Sequence, residues 1–174
     1  MAAARRNKAE RQVHRQEAAP EPSSIPGTPP DGVLSANRVA FRVHGLPIPQ
    51  GSTRVWMVNG KPITTSSAKG LAAWRRVVAD VAQRFAPPEP WAGPVGVTLQ
   101  FGLPKPKSAP KRKRVWPDKR PDLDKLTRAV LDALTYVVFA DDSQVVEIHA
   151  GKDYSPPGVV VEVRRILESE DPWE

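Results

Sequence analysis

The chain has 174 residues, with 26 Lys and Arg against 19 Asp and Glu, a net charge of +7 and no cysteine. The missing cysteine excludes a disulfide scaffold and any Cys-ligated zinc or iron–sulfur centre, and three histidines leave little for a His-based zinc site. No apolar run approaches the ~20 residues that span a bilayer, and the basic start Met1–Gln12 lacks the apolar stretch of a secretory signal. The expectation is one soluble intracellular domain with no membrane attachment and, from its basic balance, a polyanionic partner.

In chain order, residues 1–37 read as an unstructured tail, because Pro20, Pro22, Pro26, Pro29 and Pro30 forbid a regular element. The domain is expected over 38–167, followed by an acidic tail at 168–174. Val39–His44 alternates and predicts a strand. Arg54–Val58 and Lys61–Thr64 flank Asn59-Gly60, a strong hairpin signal. Ser66 or Ser67 is placed to cap a helix running to Phe85, with Leu71, Trp74, Val77, Val78, Val81 and Phe85 as its apolar stripe. Trp74 is assigned to the core, whereas Trp56 in the hairpin reads either way. Val95–Phe101 predicts the next strand.

Residues 104–120, PKPKSAPKRKRVWPDKR, hold eight basic residues, one acid and four prolines, which predicts a mobile basic loop. A helix of about 16 residues is expected from Asp122, with Leu123, Leu126, Val130, Leu134 and Val137 on its buried stripe. Strands are expected at Gln144–His149 and Val159–Ile166. Two helices on a mixed or mostly antiparallel sheet make the fold class α+β.

The charge is divided unevenly. Residues 1–37 are net +1, residues 38–120 carry 16 basic and 3 acidic residues for +13, and residues 121–174 carry 5 basic and 12 acidic for −7. One reading is charge balance between faces of the fold. The sharper one is a DNA-binding track around carboxylates that hold a metal ion, since bare carboxylates repel phosphate.

Asp122 and Asp124 lie where the basic loop meets the helix, and Asp141 and Asp142 lie where that helix gives way to a strand. All four offer the hard oxygen donors that Mg²⁺ prefers. Each also has an ordinary structural role: Asp122 is a natural N-cap, Asp124 a first-turn acid, and Asp141-Asp142 a common turn dipeptide. Asp132 reads as a surface or salt-bridging residue. A helix of about 16 residues is roughly 24 Å long, so the two acidic pairs stand at opposite ends of it unless it is shorter or a second subunit completes the site.

Lys119-Arg120-Pro121-Asp122-Leu123-Asp124-Lys125-Leu126, then Val130-Leu131-Asp132-Ala133-Leu134, then Asp141-Asp142-Ser143-Gln144-Val145-Val146, resembles the RusA family of Holliday junction resolvases. Pro47-Ile48-Pro49 and Phe101–Lys107 add to the likeness, which covers roughly 39–166.

The resemblance implies a small α+β homodimer, often encoded by a phage or prophage. Such a protein binds four-way junctions or other branched DNA in the bacterial cytoplasm and nicks two strands symmetrically with Mg²⁺, or with Mn²⁺ in its place. By motif, Asp122, Asp124 and Asp142 are the implied catalytic and metal-binding carboxylates, with Asp141 supporting them. The family's lysine four residues after the DLD motif is here Arg128, and Lys125 stands where asparagine is common. Either cation is expected to steady the phosphate, although Arg128 cannot give up a proton at accessible pH.

Arg54, Lys105, Lys107, Lys111, Arg112, Lys113, Arg114, Lys119, Arg120 and Lys152 are the expected DNA-binding cations. Trp116 reads either as a base-stacking wedge or as a cover over the domain edge. The alternatives to a junction resolvase are a non-catalytic branched-DNA-binding protein and a flap or fork nuclease.

Overall fold

The structure, a computed structural model, describes residues 32–51, 53–58, 61–66, 68–110 and 112–167, with strands 53–58 and 61–66 described as backbone. The expectations for the tails 1–31 and 168–174, for Asn59-Gly60, Ser67 and Lys111, and for the side chains of Arg54 and Trp56 lie outside the described residues.

Alternating apolar residues build a five-stranded mixed sheet from β1 (Val33–Leu34), β2 (Arg38–His44), β5 (Val95–Leu103), β6 (Val145–Tyr154) and β7 (Gly158–Arg165). Its spatial order is β1-β2-β7-β5-β6, and a separate two-stranded sheet pairs β3 (Thr53–Val58) with β4 (Lys61–Ser66). Val58 pairs with Lys61, the register that a two-residue Asn-Gly connection implies. The short β1 falls within the stretch expected to be unstructured, and it pairs antiparallel with β2.

Period-2 alternation sends Val39, Phe41 and Val43, then Val97, Leu99 and Phe101, then Val159, Val161 and Val163 to one buried face. Helices α1 (Leu71–Gln83) and α2 (Leu123–Leu134) contribute Leu71, Trp74, Val78, Leu126, Val130 and Leu134 to the same core. Burying each of the larger side chains stabilises the fold by about 1.5–3 kcal/mol. The other sheet face is charged and carries the Arg38–Glu162 and Arg164–Glu147 ion pairs. Arg75 of α1 reaches Asp132 of α2, which gives Asp132 its salt-bridging role.

Some local expectations are corrected. Ser66 does not cap α1, because it is drawn into β4 opposite Thr53. The helix starts instead after Gly70, whose φ of +87° is open to glycine at little cost. Val77 is exposed; Ala82 takes a buried place in the stripe. Helix α2 has 12 residues rather than about 16. Trp91 exchanges backbone hydrogen bonds with Val138 and Ala140, at 2.9 and 3.1 Å, and this pairing replaces a further helical turn.

Strands β5 and β6 are parallel neighbours. The chain therefore has to cross back over the sheet between them, and residues 104–120 followed by α2 make that crossing. The crossing brings the start of α2 to the carboxyl end of the parallel pair, a common place for ligand sites in sheets with such crossovers.

A carboxylate and cation site at the start of helix α2

Pro121 cannot continue a ladder, and Asp122 with extended backbone leads into the first turn of α2. Asp122 occupies the N-cap position yet makes no capping hydrogen bond. Its carboxylate turns to the Lys125 ammonium at 2.9 Å, where both side chains remain substantially exposed. Lys125, then Arg120 and Lys152, hold the Asp122 carboxyl below its ordinary range. Asp124 and Arg128 are exposed and stand four residues apart, on one helix face.

Strand β6 closes the other side. The Lys152 ammonium donates to the backbone carbonyls of Lys119 and Pro121, both at 2.9 Å. One residue on, Asp153 is buried and accepts from the Arg114 guanidinium at 2.8 Å and from the Tyr154 N–H at 2.7 Å. The same guanidinium lies 4.2 Å over the exposed Trp116 ring. The described residues of segment 104–120 carry no helix or strand, but these contacts fasten it to β6. Lys105, Lys107, Arg112, Lys113, Lys119 and Arg120 are exposed along it. On the opposite side, the Gln50 N–H donates to the Lys125 carbonyl at 2.9 Å, and its side chain accepts from Arg75 at 2.7 Å.

Asp141 and Asp142 stand elsewhere. Asp141 caps a short 3₁₀ turn, Asp142–Gln144. Its carboxylate accepts from the Ser143 N–H, and its own N–H donates to the Gln144 side chain. The Ser143 side chain first, and then the Ser143 N–H, hold the Asp141 carboxyl below its ordinary range. Gln144 in turn donates to the Trp91 and Gly93 carbonyls. Asp142 is exposed beside this turn. Twelve helical residues rise about 18 Å, so one chain holds Asp122 and Asp124 at one end of α2 and Asp142 at the other. Among the described residues, no three acidic or histidine side chains come close enough to share a metal ion.

The donor chemistry still fits a hard divalent cation, which takes one or two carboxylates together with phosphate oxygens. Asp122 and Asp124 supply such a pair at the start of α2. Sequence reasoning missed Asp153 and Gln50 as site-building residues. An acid following a lysine just beyond a predicted strand was the only trace of Asp153.

Comparison with known proteins agrees with this architecture. Residues 44–164 match the family described as Endodeoxyribonuclease RusA. The "Uncharacterized protein YqaN" of Bacillus subtilis (strain 168) is 33% identical over 138 residues, covering 74% of this chain and 96% of that protein. No helix among the described residues is long and apolar enough to cross a membrane. With an α+β fold and the DLD motif in place at the head of α2, the chain belongs to the RusA endodeoxyribonuclease family.

Proposed function

We propose that this chain is a Mg²⁺-dependent, structure-selective endonuclease, with Mn²⁺ able to substitute. As a homodimer it resolves four-way DNA junctions by paired, symmetric nicks, in DNA recombination and repair in a bacterial cytoplasm, as a crossover junction endodeoxyribonuclease of phage or prophage origin. The observation that carries the reading is the pair of half-buried Asp122 and exposed Asp124 set among Arg120, Lys125, Arg128 and Lys152 at the start of α2, in a chain of the RusA family.

Asp122 and Asp124 hold the metal ion, and Asp142 of a second copy completes the site. When bound, the ion lowers the pKa of a water molecule and neutralises charge on the phosphodiester. Lys125 keeps Asp122 ionised and ready to bind. Arg128, one turn beyond Asp124, steadies the phosphate oxygens without exchanging a proton. The exposed cations of 104–120, with Lys111 and Arg54, follow the DNA backbone. Asp141 shapes the turn that presents Asp142. Two such sites related by a two-fold axis account for paired nicks in a two-fold junction.

A non-catalytic junction-binding protein is the second reading, favoured by Arg128 in the place of a proton-donating lysine. Nicking of a synthetic four-way junction separates the two. The nuclease reading expects wild type to cleave with Mg²⁺ or Mn²⁺ and Asp124→Asn to bind without cleaving. Binding with no cleavage by either protein, in either metal, would reject it. A panel of flap and fork substrates tests junction preference.

A further inference from the structure

Trp116 is 62% exposed, although its chain neighbours turn inward, Val115 half-buried and Pro117 buried. A large aromatic ring ordinarily gains by burial. This one is held outward in a fixed pose. The Arg114 guanidinium lies 4.2 Å over the ring, and Asp153, buried on β6, holds the same guanidinium at 2.8 Å. The Asp118 N–H donates to the Trp116 carbonyl at 2.9 Å and fixes the backbone. The ring is therefore ordered before any ligand arrives, and little freedom is lost on contact.

Beside the ring runs a groove of about 530 Å³, lined by Trp116 together with Pro106, Ala109, Val115, Lys119 and Tyr154. Small-ligand clefts occupy roughly 300–1,000 Å³. The apolar and aromatic lining suits a flat ring. Lys107, Arg112, Lys113 and Lys119 are exposed in the same segment and suit phosphates on either side of that ring. A nucleobase carried between two phosphates meets both demands.

We propose that Trp116 is a stacking platform for an unpaired base of branched DNA, and that it sets the preference for a branch over linear duplex. The proposal rests on the DNA-binding reading of the site. In linear duplex each base is stacked on its neighbours, and taking it out of the stack is costly; a base already unpaired pays least. Arg114 takes one face of the indole and leaves the other to the base, giving a stack of cation, ring and base.

The platform is tied to the carboxylates. Lys119 lines the groove three residues before Asp122, and the Lys152 ammonium holds both the Lys119 and Pro121 carbonyls. Three residues reach at most about 11 Å, and one DNA strand advances roughly 3.4 Å per nucleotide. The seated base therefore belongs within a few nucleotides of the phosphate that meets Asp122.

The test removes the ring from the protein and the base from the DNA in one cycle. Four-way junctions made abasic at each nucleotide around the branch point in turn are bound, in EDTA so that nothing is cut, to wild type, Trp116→Ala, Trp116→Leu and Trp116→Phe. Wild type is expected to lose about 5- to 150-fold in affinity at one abasic position, the range of one base–aromatic stack. Trp116→Ala and Trp116→Leu are expected to lose as much on the intact junction and nothing further at that position. Trp116→Phe is expected to keep most of the affinity and the abasic sensitivity. All four are expected to bind linear duplex equally, and trypsin is expected to cut segment 104–120 no faster in Trp116→Leu than in wild type. No abasic position whose effect vanishes with the ring, a loss that falls equally on duplex, or selective cutting of that segment in Trp116→Leu would each overturn the platform. A protein that shows the coupling but never nicks a junction defeats the nuclease reading alone. Absence of any binding to DNA defeats the DNA reading and the platform with it.

Discussion

The Lys152 ammonium lies 2.9 Å from the Pro121 carbonyl, and this contact fixes the carboxyl end of β6 at the head of α2. The seven steps from Val145 to Lys152 measure about 23 Å along the strand, against about 18 Å along α2. The two lengths agree in placing Asp142 far from Asp122 in one chain.

Lys152 was expected on phosphate, but its protons are directed at two carbonyls. Lys152→Met should therefore lower stability by about 1–2 kcal/mol in urea titration, through lost charge-assisted hydrogen bonds. It should slow nicking while the dependence of junction affinity on salt stays as in wild type. A shallower salt dependence would instead assign the ammonium to DNA.

Asp153, buried on β6, fastens the basic segment through Arg114. Asp153→Ala should cost about 1–3 kcal/mol and expose Lys105–Arg120 to trypsin. Limited proteolysis with mass spectrometry would show early cuts confined to that segment. A comparably destabilised core variant, Leu126→Ala, should show none of that selectivity; equal cutting in both would remove Asp153 from the role of anchor.

Arg112 and Lys113 are exposed, whereas Arg114 is engaged with Asp153 and Trp116. Neutralising Lys111, Arg112 and Lys113 together should make the slope of log affinity against log salt shallower by about 2–3, at roughly 0.9 per phosphate contact. The measurement is junction binding across a salt series, and an unchanged slope would place these cations in solvent.

Much of this was legible in the sequence where one physical signal dominated. The stripe Leu126, Val130, Leu134 forecast the buried face of α2, and alternation forecast β2 and β5, because burial of apolar area outweighs local preference. The two pairs of aspartates were legible as residue types, and so was the tension between their positions. Other features depended on distant partners. Ser66 has the chemistry of a helix cap, yet strand pairing with Thr53 claims it. Val137 keeps helical spacing, yet Trp91 and the positive φ of Tyr136 end α2 first. The predicted strand stopped at His149, but the β5 register carries β6 through Gly151 to Tyr154. The anchoring of Asp153 needs Arg114, 39 residues earlier in the chain.

The most direct measurement is nicking by a mixture of two inactive variants, Asp122→Asn and Asp142→Asn, refolded together. If each site joins Asp122 of one chain to Asp142 of another, a mixed dimer keeps one fully intact site. Random assortment then restores about a quarter of the wild-type sites, seen as single nicks in a four-way junction with Mg²⁺. That recovery is expected from two proteins that are each inactive alone. A mixture as inactive as its parts, with mixed dimers present, would contradict it.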